Sequence, residues 1–185
     1  MTNPSSTSKS PHFKQLIWLN IGLSLFSLSY DLHVIRTIPL WAWPFVVICP
    51  LWPLVLALAW YTNNKYLKGF AALATASYGL LAIVFYPLLM HATFFNWPDT
   101  GNIIWVWLYA IQGWYLLRTH KVPLPAILIA FTFLITSFTI QYKTLGFGYL
   151  DYAALSPQMR IFLLGVAYAT SVITCLISVV RWQQR

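Results

Sequence analysis

Six apolar stretches, each of about the length that a membrane-crossing helix needs, take up most of this chain. They cover residues 14–31, 46–62, 69–90, 102–119, 123–141 and 160–180, and each is bounded by a charge, a proline or a polar cluster. A spanning helix needs about 20 residues. We therefore predict an all-α, polytopic bundle of about six transmembrane helices, residues 14–182, that follows a disordered cytoplasmic tail, residues 1–13.

The composition excludes an ordinary soluble domain. Hydrophobic residues make up 59% of the chain and charged residues only 8%, whereas about a quarter of the residues in a typical soluble domain are charged. The net charge of +8 would indicate nucleic acid binding in a soluble protein. Here the basic residues stand singly or in pairs at helix ends, so they read as topology signals, and no nucleic acid partner is expected.

The distribution of basic residues predicts the orientation. If both termini are cytoplasmic, eight of the 11 basic residues lie on the inner side and three on the outer side. All the acidic residues then lie outside. The inner set is Lys9, Lys14, Lys65, Lys68, Arg118, Lys121, Arg181 and Arg185; the outer set is Arg36, Lys143 and Arg160; the acids are Asp31, Asp99 and Asp151. This satisfies the positive-inside rule and predicts that both termini lie in the cytoplasm.

The segment from Thr37 to Pro53 is the least regular, because it carries prolines at 39, 44, 50 and 53. Each proline removes a backbone donor and disfavours helix at the residue before it. We expect a broken or re-entrant segment. Irregular backbone at membrane depth must be buried in protein or line a wet cavity, so the segment is either a pocket wall at the outer leaflet or an interfacial loop anchored by Trp41 and Trp43.

Polar residues inside the spans have two readings. Asn20, Ser24, Ser27 and Asp31 share one face of the first helix. They either line a path for a polar ligand or supply hydrogen bonds between helices, with Asp31 solvated at the interface. Gln112 lies within the fourth span and needs hydrogen-bond partners, which either a neighbouring helix or a ligand supplies.

The candidate ligand-binding residues combine apolar walls with polar contacts at the predicted outer side. They are Asp31, His33, Trp41, Trp43, Trp52, Trp97, Gln112 and Asp151. No spacing among the His, Asp and Cys residues forms a metal motif, and no nucleophile triad or phosphate-binding glycine loop is present. No catalytic residue is predicted, and the sequence indicates no particular cofactor.

Three short elements resemble a family of bacterial and archaeal integral membrane proteins, catalogued as domain of unknown function 1405. The first is Ile38-Pro39-Leu40-Trp41-Ala42-Trp43-Pro44-Phe45-Val46 followed by Cys49-Pro50-Leu51, the second Ser77-Tyr78-Gly79-Leu80, and the third Tyr149-Leu150-Asp151-Tyr152. They occur in the family's order. Two charged positions depart, because an acid of the family pattern corresponds to Ile48 and a lysine to Ser77. The resemblance implies that an ion pair is missing here and leaves the activity open. Together with the compactness of the chain, it also implies a bacterial inner membrane.

Three functions fit these observations. The first is a non-enzymatic protein that binds or translocates a small amphipathic molecule or lipid through an outer-facing aromatic pocket. The second is an accessory subunit of a larger membrane complex, or a homo-oligomer, in which the small-residue and aromatic faces contact partner helices. The third, which we favour least, is a membrane enzyme that uses Asp31, His91 or Asp151 for acid and base chemistry.

Overall fold

The computed structural model describes residues 11–35, 39–46, 48–92, 97–144 and 156–183. Within them the chain is helical and contains no strand, which confirms the predicted all-α class. The helices are α1 (Pro11–Ile35), α2 (Trp43–Val46), α3 (Ile48–Thr62), α4 (Lys65–Ala92), α5 (Trp97–Thr119), α6 (Leu124–Thr144) and α7 (Pro157–Gln183), with a short 3₁₀ turn at Leu40–Ala42 before α2. Six of them coincide with the six predicted stretches. Residues 1–10 of the predicted tail lie outside the described part, and α1 begins at Pro11.

Three helices are long and apolar enough to cross a membrane, among the residues that were described. They run over Lys65–Leu88, Leu124–Lys143 and Pro157–Arg181, and the apolar helix Pro50–Thr62 is shorter. These helices support a membrane protein in general terms. A six-span topology stays a prediction.

Helix ends follow from local chemistry. Asn63 has a φ of 53°, the left-handed conformation that asparagine tolerates better than most residues, and it ends α3. The side chain of Asn64 then caps α4, because its Oδ1 accepts the backbone N–H groups of Tyr66 and Leu67 at 2.8 and 3.2 Å. The two-residue turn makes α3 and α4 antiparallel neighbours.

The helix α4 lies at the centre of the bundle and contacts α3, α5, α6 and α7. Every residue from 71 to 79 is buried. Small side chains allow α5 to approach closely: a Cβ added at Gly79 would clash with Ala110, and one at Gly113 would clash with Thr75. Small residues at a helix contact allow such a close approach of two backbones.

The bundle differs from a water-soluble one in its apolar outer surface and in the polar side chains that its apolar core contains. Polar residues are buried between the helices, among them Asn20, Ser24, Thr75, Ser77, Gln112, Ser137, Gln141, Ser171 and Thr174. Large apolar side chains are exposed on the outside, among them Trp18, Leu25, Phe26, Trp107, Ile111, Leu128, Ile129, Phe162, Ile173 and Leu176. In water this outer surface would be an exposed apolar patch, whereas hydrocarbon solvates it well.

Candidate functional site

The eight predicted ligand contacts fall into groups, and half of their side chains are outside the described part. Asp31 and His33 on α1 and Trp97 on α5 have described backbone only, and Asp151 is not described. Trp41 and Trp43 are 60% and 37% exposed, whereas Trp52 is fully buried. The described residues therefore do not form one common wall.

Gln112 lies in a different cluster from Trp52, together with Asn20 of α1. Its Oε1 accepts a hydrogen bond from Asn20 Nδ2 at 2.7 Å and one from Trp60 Nε1 at 3.4 Å. Its own Nε2 donates to Asn20 Oδ1 at 3.2 Å. The two amides thus bond each other reciprocally, with Trp60 of α3 as a third partner. Of the two readings for Gln112, the helix-bridging one matches these contacts.

The proline-broken segment is held by side chains from other helices. The Phe45 carbonyl of α2 accepts hydrogen bonds from Ser137 Oγ at 2.7 Å and Gln141 Nε2 at 2.6 Å, both on α6. Ser24 of α1 likewise donates to the Pro50 carbonyl at 2.7 Å. Side chains of α6 and α1 thus hold two backbone carbonyls of this segment. The segment is buried at Pro50 and Trp52, whereas Trp41 and Trp43 at its beginning are exposed.

An aromatic row leads from this segment into the bundle. Phe45 stacks on Phe133 with ring centroids 5.5 Å apart, and Phe133 meets Trp52 edge to face at 5.6 Å. Trp52 in turn contacts Tyr78 at 5.7 Å, and Tyr78 contacts Phe138 at 4.9 Å. We call these five residues the aromatic row. Phe45 and Phe133 are half-buried, whereas the other three are buried.

The indole N–H of Trp52 has no hydrogen-bond partner, although the side chain is fully buried. Among the described buried side-chain atoms, only Trp105 Nε1 shares this state. An unpaired buried donor costs about 1–3 kcal/mol. A ligand or water that offered an acceptor atom there would recover that cost.

A polar network borders the aromatic row at Tyr78. The Tyr78 hydroxyl lies 3.1 Å from Ser137 Oγ, and Gln141 Nε2 donates to both hydroxyl oxygens, at 3.2 Å and 3.0 Å respectively. Ser137 and Gln141 were not predicted as site residues. Their spacing of four on one face of α6 is the signal that points to them.

A second cluster lies at the other end of α4, around Lys68. This side chain is only 4% exposed. Its Nζ donates to Asn63 Oδ1, lies 3.4 Å from His120 Nε2 and lies 5.2 Å from the centroid of the Trp60 ring. His120 Nδ1 is 2.8 Å from the Thr119 hydroxyl, which itself donates to the Tyr115 carbonyl. The imidazole is therefore neutral, with its proton on Nδ1 and with Nε2 as the acceptor for Lys68.

Burial, and secondly the charge of Lys68, lower the pKa of His120 below its ordinary value of 6.5. Both causes disfavour the imidazolium, because it would lose solvation and face a like charge. His120 thus remains an acceptor at neutral pH.

The polar atoms of these clusters are amides, hydroxyls, indoles, an ammonium group and the imidazole of His120. No group of three His, Cys, Asp or Glu residues that could hold a metal occurs in the part of the chain that the structure describes. Amides, hydroxyls and indoles can bind and orient a molecule, so the clusters support binding directly.

Comparison with known proteins finds no match to a family model, to a curated protein or to a solved structure. Membership of the family that the three sequence elements resemble stays a prediction.

Proposed function

We propose that this chain is a multi-pass protein of a bacterial inner membrane, with both termini cytoplasmic, that binds a small amphipathic molecule or lipid. The six predicted stretches coincide with six helices, and polar side chains point inward while apolar ones cover the outside. The excess of basic residues at one end supports the orientation. The binding site lies at the aromatic row.

The single observation that carries the binding function is the unpartnered indole N–H of Trp52. It is a donor in an apolar, aromatic environment, between Phe133 and Tyr78. Small-molecule sites combine apolar walls with a few placed polar groups of this kind. A ligand with an apolar body and one carbonyl, ether or phenolate oxygen has the matching chemistry.

The route of entry passes the proline-broken segment. Trp41 and Trp43 are exposed at its beginning, and the half-buried Phe45 and Phe133 follow toward Trp52. The apolar body of the ligand packs along these rings, and its acceptor atom reaches the indole N–H. This site differs from the pocket expected from the sequence in that Gln112 is not part of it.

Native mass spectrometry tests the proposal on the full chain, extracted in mild detergent from the membrane in which it was expressed. We expect one small molecule to be retained and identified after release. Trp52→Phe removes the N–H but keeps an aromatic ring, so retention should fall at least about fivefold, as expected for a lost buried hydrogen bond of about 1–3 kcal/mol. Trp105→Phe is the matched control, because it removes the other unpartnered indole N–H outside the aromatic row, and it should retain the molecule.

Two outcomes would contradict the proposal. Equal retention by the two variants would exclude Trp52 as the binding donor. A stoichiometric protein partner in place of a small molecule would make the chain an accessory subunit of a complex.

A further inference from the structure

The basic helix ends meet at one end of the bundle. Phe13 near the start of α1 contacts Trp60 near the end of α3, at 5.3 Å between ring centroids. The start of α4 meets the α5 to α6 turn through Lys68 and His120, and Arg181 near the end of α7 donates to the Leu117 carbonyl at 3.4 Å. We call this the basic end. Its described cations are Lys14, Lys65, Lys68, Arg118, Lys121 and Arg181.

No acidic residue belongs to the part of the basic end that the structure describes. The whole chain has only three acidic residues. Asp31 follows Lys14 by 17 positions on α1, and Asp99 precedes Arg118 by 19 positions on α5. At about 1.5 Å per residue, each lies roughly 25 Å or more away along its helix. Asp151 belongs to the connection between α6 and α7, which joins helix ends opposite to the basic end.

Lys68 places one of these charges inside the protein rather than in solvent. Its contacts with Asn63, His120 and Trp60 are all with neutral groups. Neutral oxygen and nitrogen acceptors compensate a buried cation only in part, because desolvating the charge costs several kcal/mol. The potential outside this end is therefore set by a fixed internal charge as well as by mobile surface charges.

Exposed aromatic residues at the basic end are typical of the depth of the lipid headgroups. Tyr61, Tyr66 and Tyr115 are 73%, 46% and 56% exposed, and Trp18 on α1 is 70% exposed. Tyrosine and tryptophan are enriched at the membrane interface, where the ring is apolar and its polar atom reaches water. The anions concentrated at this depth are the headgroups of membrane lipids.

We propose that the basic end binds the phosphate headgroups of anionic phospholipids, with Lys65 and Lys121 as direct contacts and the charge of Lys68 behind them. Lys65 opens α4 and Lys121 follows α5, and both are exposed. The Lys68 contact with His120 joins the two elements that carry them. Basic residues next to membrane helices attract anionic lipid in this way.

The test offers the purified full chain in detergent an equimolar mixture of phosphatidylglycerol and phosphatidylcholine, and native mass spectrometry counts the bound lipids. We expect phosphatidylglycerol to be preferred at least fivefold at low salt. The preference should decrease at high salt, because the headgroup contact is electrostatic. Lys65→Gln/Lys121→Gln should reduce it by about fivefold or more.

Lys143→Gln/Arg160→Gln is the matched control, because it removes the same charge from the opposite end. It should keep the preference, and circular dichroism should show the same helix content for both double variants. Equal binding of the two lipids by the unmodified chain, or an equal loss in the two double variants, would overturn the proposal.

Discussion

At the residue scale, missing side chains determine how closely the central helix contacts its neighbour. Gly113 lies where an added Cβ would be 2.9 Å from both the Ala72 carbonyl oxygen and the Ala76 nitrogen, and closer still to the Thr75 hydroxyl. Backbone atoms cannot move aside as a flexible side chain can. By contrast, nothing lies within 4 Å of a Cβ added at Gly22. The contact between α4 and α5 therefore requires glycine at position 113, whereas the surroundings of Gly22 leave room for a side chain.

Gly113→Ala should destabilise the protein by about 1–3 kcal/mol, because α5 must move away from α4. Gly22→Ala meets no neighbour, and it should leave stability unchanged or raise it by up to about 1 kcal/mol through better helix propensity. Reversible unfolding in mixed micelles measures both. Equal stability of the Gly113→Ala and Gly22→Ala variants would show that α4 and α5 are not in close contact at Gly113.

The lowered pKa of His120 predicts a stability change in acid. The imidazole of the unfolded chain binds a proton near pH 6.5, and that of the folded protein does so only at lower pH. Between these two pKa values the unfolded state therefore binds more protons than the folded state. The unfolding free energy should fall as pH drops below about 6.5 and level off below the folded pKa. Thermal midpoints between pH 8 and 5 measure the effect.

His120→Gln is the control, because glutamine keeps an acceptor for Lys68 but does not titrate. Since the other titrating groups are the same in both proteins, the difference between the two pH curves isolates His120. Parallel curves would show that His120 is protonated as easily in the folded protein as in the unfolded chain.

At the element scale, polar side chains connect helices that otherwise touch little. The reciprocal amide pair joins α1 to α5 with Trp60 of α3 beside it. Ser137 and Gln141 join α6 to α2 through one carbonyl. Inside a membrane no water is present to form hydrogen bonds with an unsatisfied amide or carbonyl. Hydrogen bonds between helices therefore specify which helices are neighbours.

Asn20→Leu and Gln112→Leu should each destabilise the bundle by about 1–3 kcal/mol, because each leaves the partner amide partly unpaired. The double variant should lose less than the sum, by about 0.5–2 kcal/mol, since no amide remains to be satisfied. Unfolding of the three variants in mixed micelles gives this coupling energy. Gln15→Leu, at an exposed position of α1, should change stability by less than about 0.5 kcal/mol. Strict additivity would contradict the pairing.

The helices could be predicted from the sequence because their signals are local. Apolar length, prolines and terminal charges predicted the six longer helices, whereas Pro50 and Pro53, expected in a broken segment, lie within α3. Partners were not predictable, because they depend on how the helices rotate against one another. Trp52 and Gln112 were grouped together from their residue types, yet they lie in different clusters. The donors to Phe45 are 92 and 96 residues away in sequence, too far for any local pattern.

At the scale of the whole molecule, the first turn of α1 and the last turns of α5 and α7 share the basic end. An even number of membrane crossings brings the end of α7 back to the side on which α1 begins, whereas three crossings would leave these two helix ends on opposite sides. The proposed six-span topology therefore places residue 121 on the cytoplasmic side and residue 156 on the outer side. The two positions flank α6, a helix long enough to cross the membrane.

Single-cysteine variants test this topology in a Cys49→Ser/Cys175→Ala background. A membrane-impermeant maleimide added to intact spheroplasts should label Ser156→Cys, and it should label Lys121→Cys only after lysis. Both positions are exposed, so burial does not limit the reaction. The reverse pattern would invert the orientation, and labelling of both positions from the outside would exclude a crossing by α6.

The amide pair between Asn20 and Gln112 also bears on the order in which the chain is made. Asn20 leaves the ribosome 92 residues before its partner, so in the proposed six-span topology α1 enters the bilayer with an amide that no other helix yet satisfies. The amide of Asn20 gains its partner only when α5, which carries Gln112, has been synthesised and inserted. In that topology the packing of α1 is completed only by a helix that is synthesised much later. A chain truncated before residue 112 would have an inserted but incompletely paired first helix, which quality-control proteases could attack.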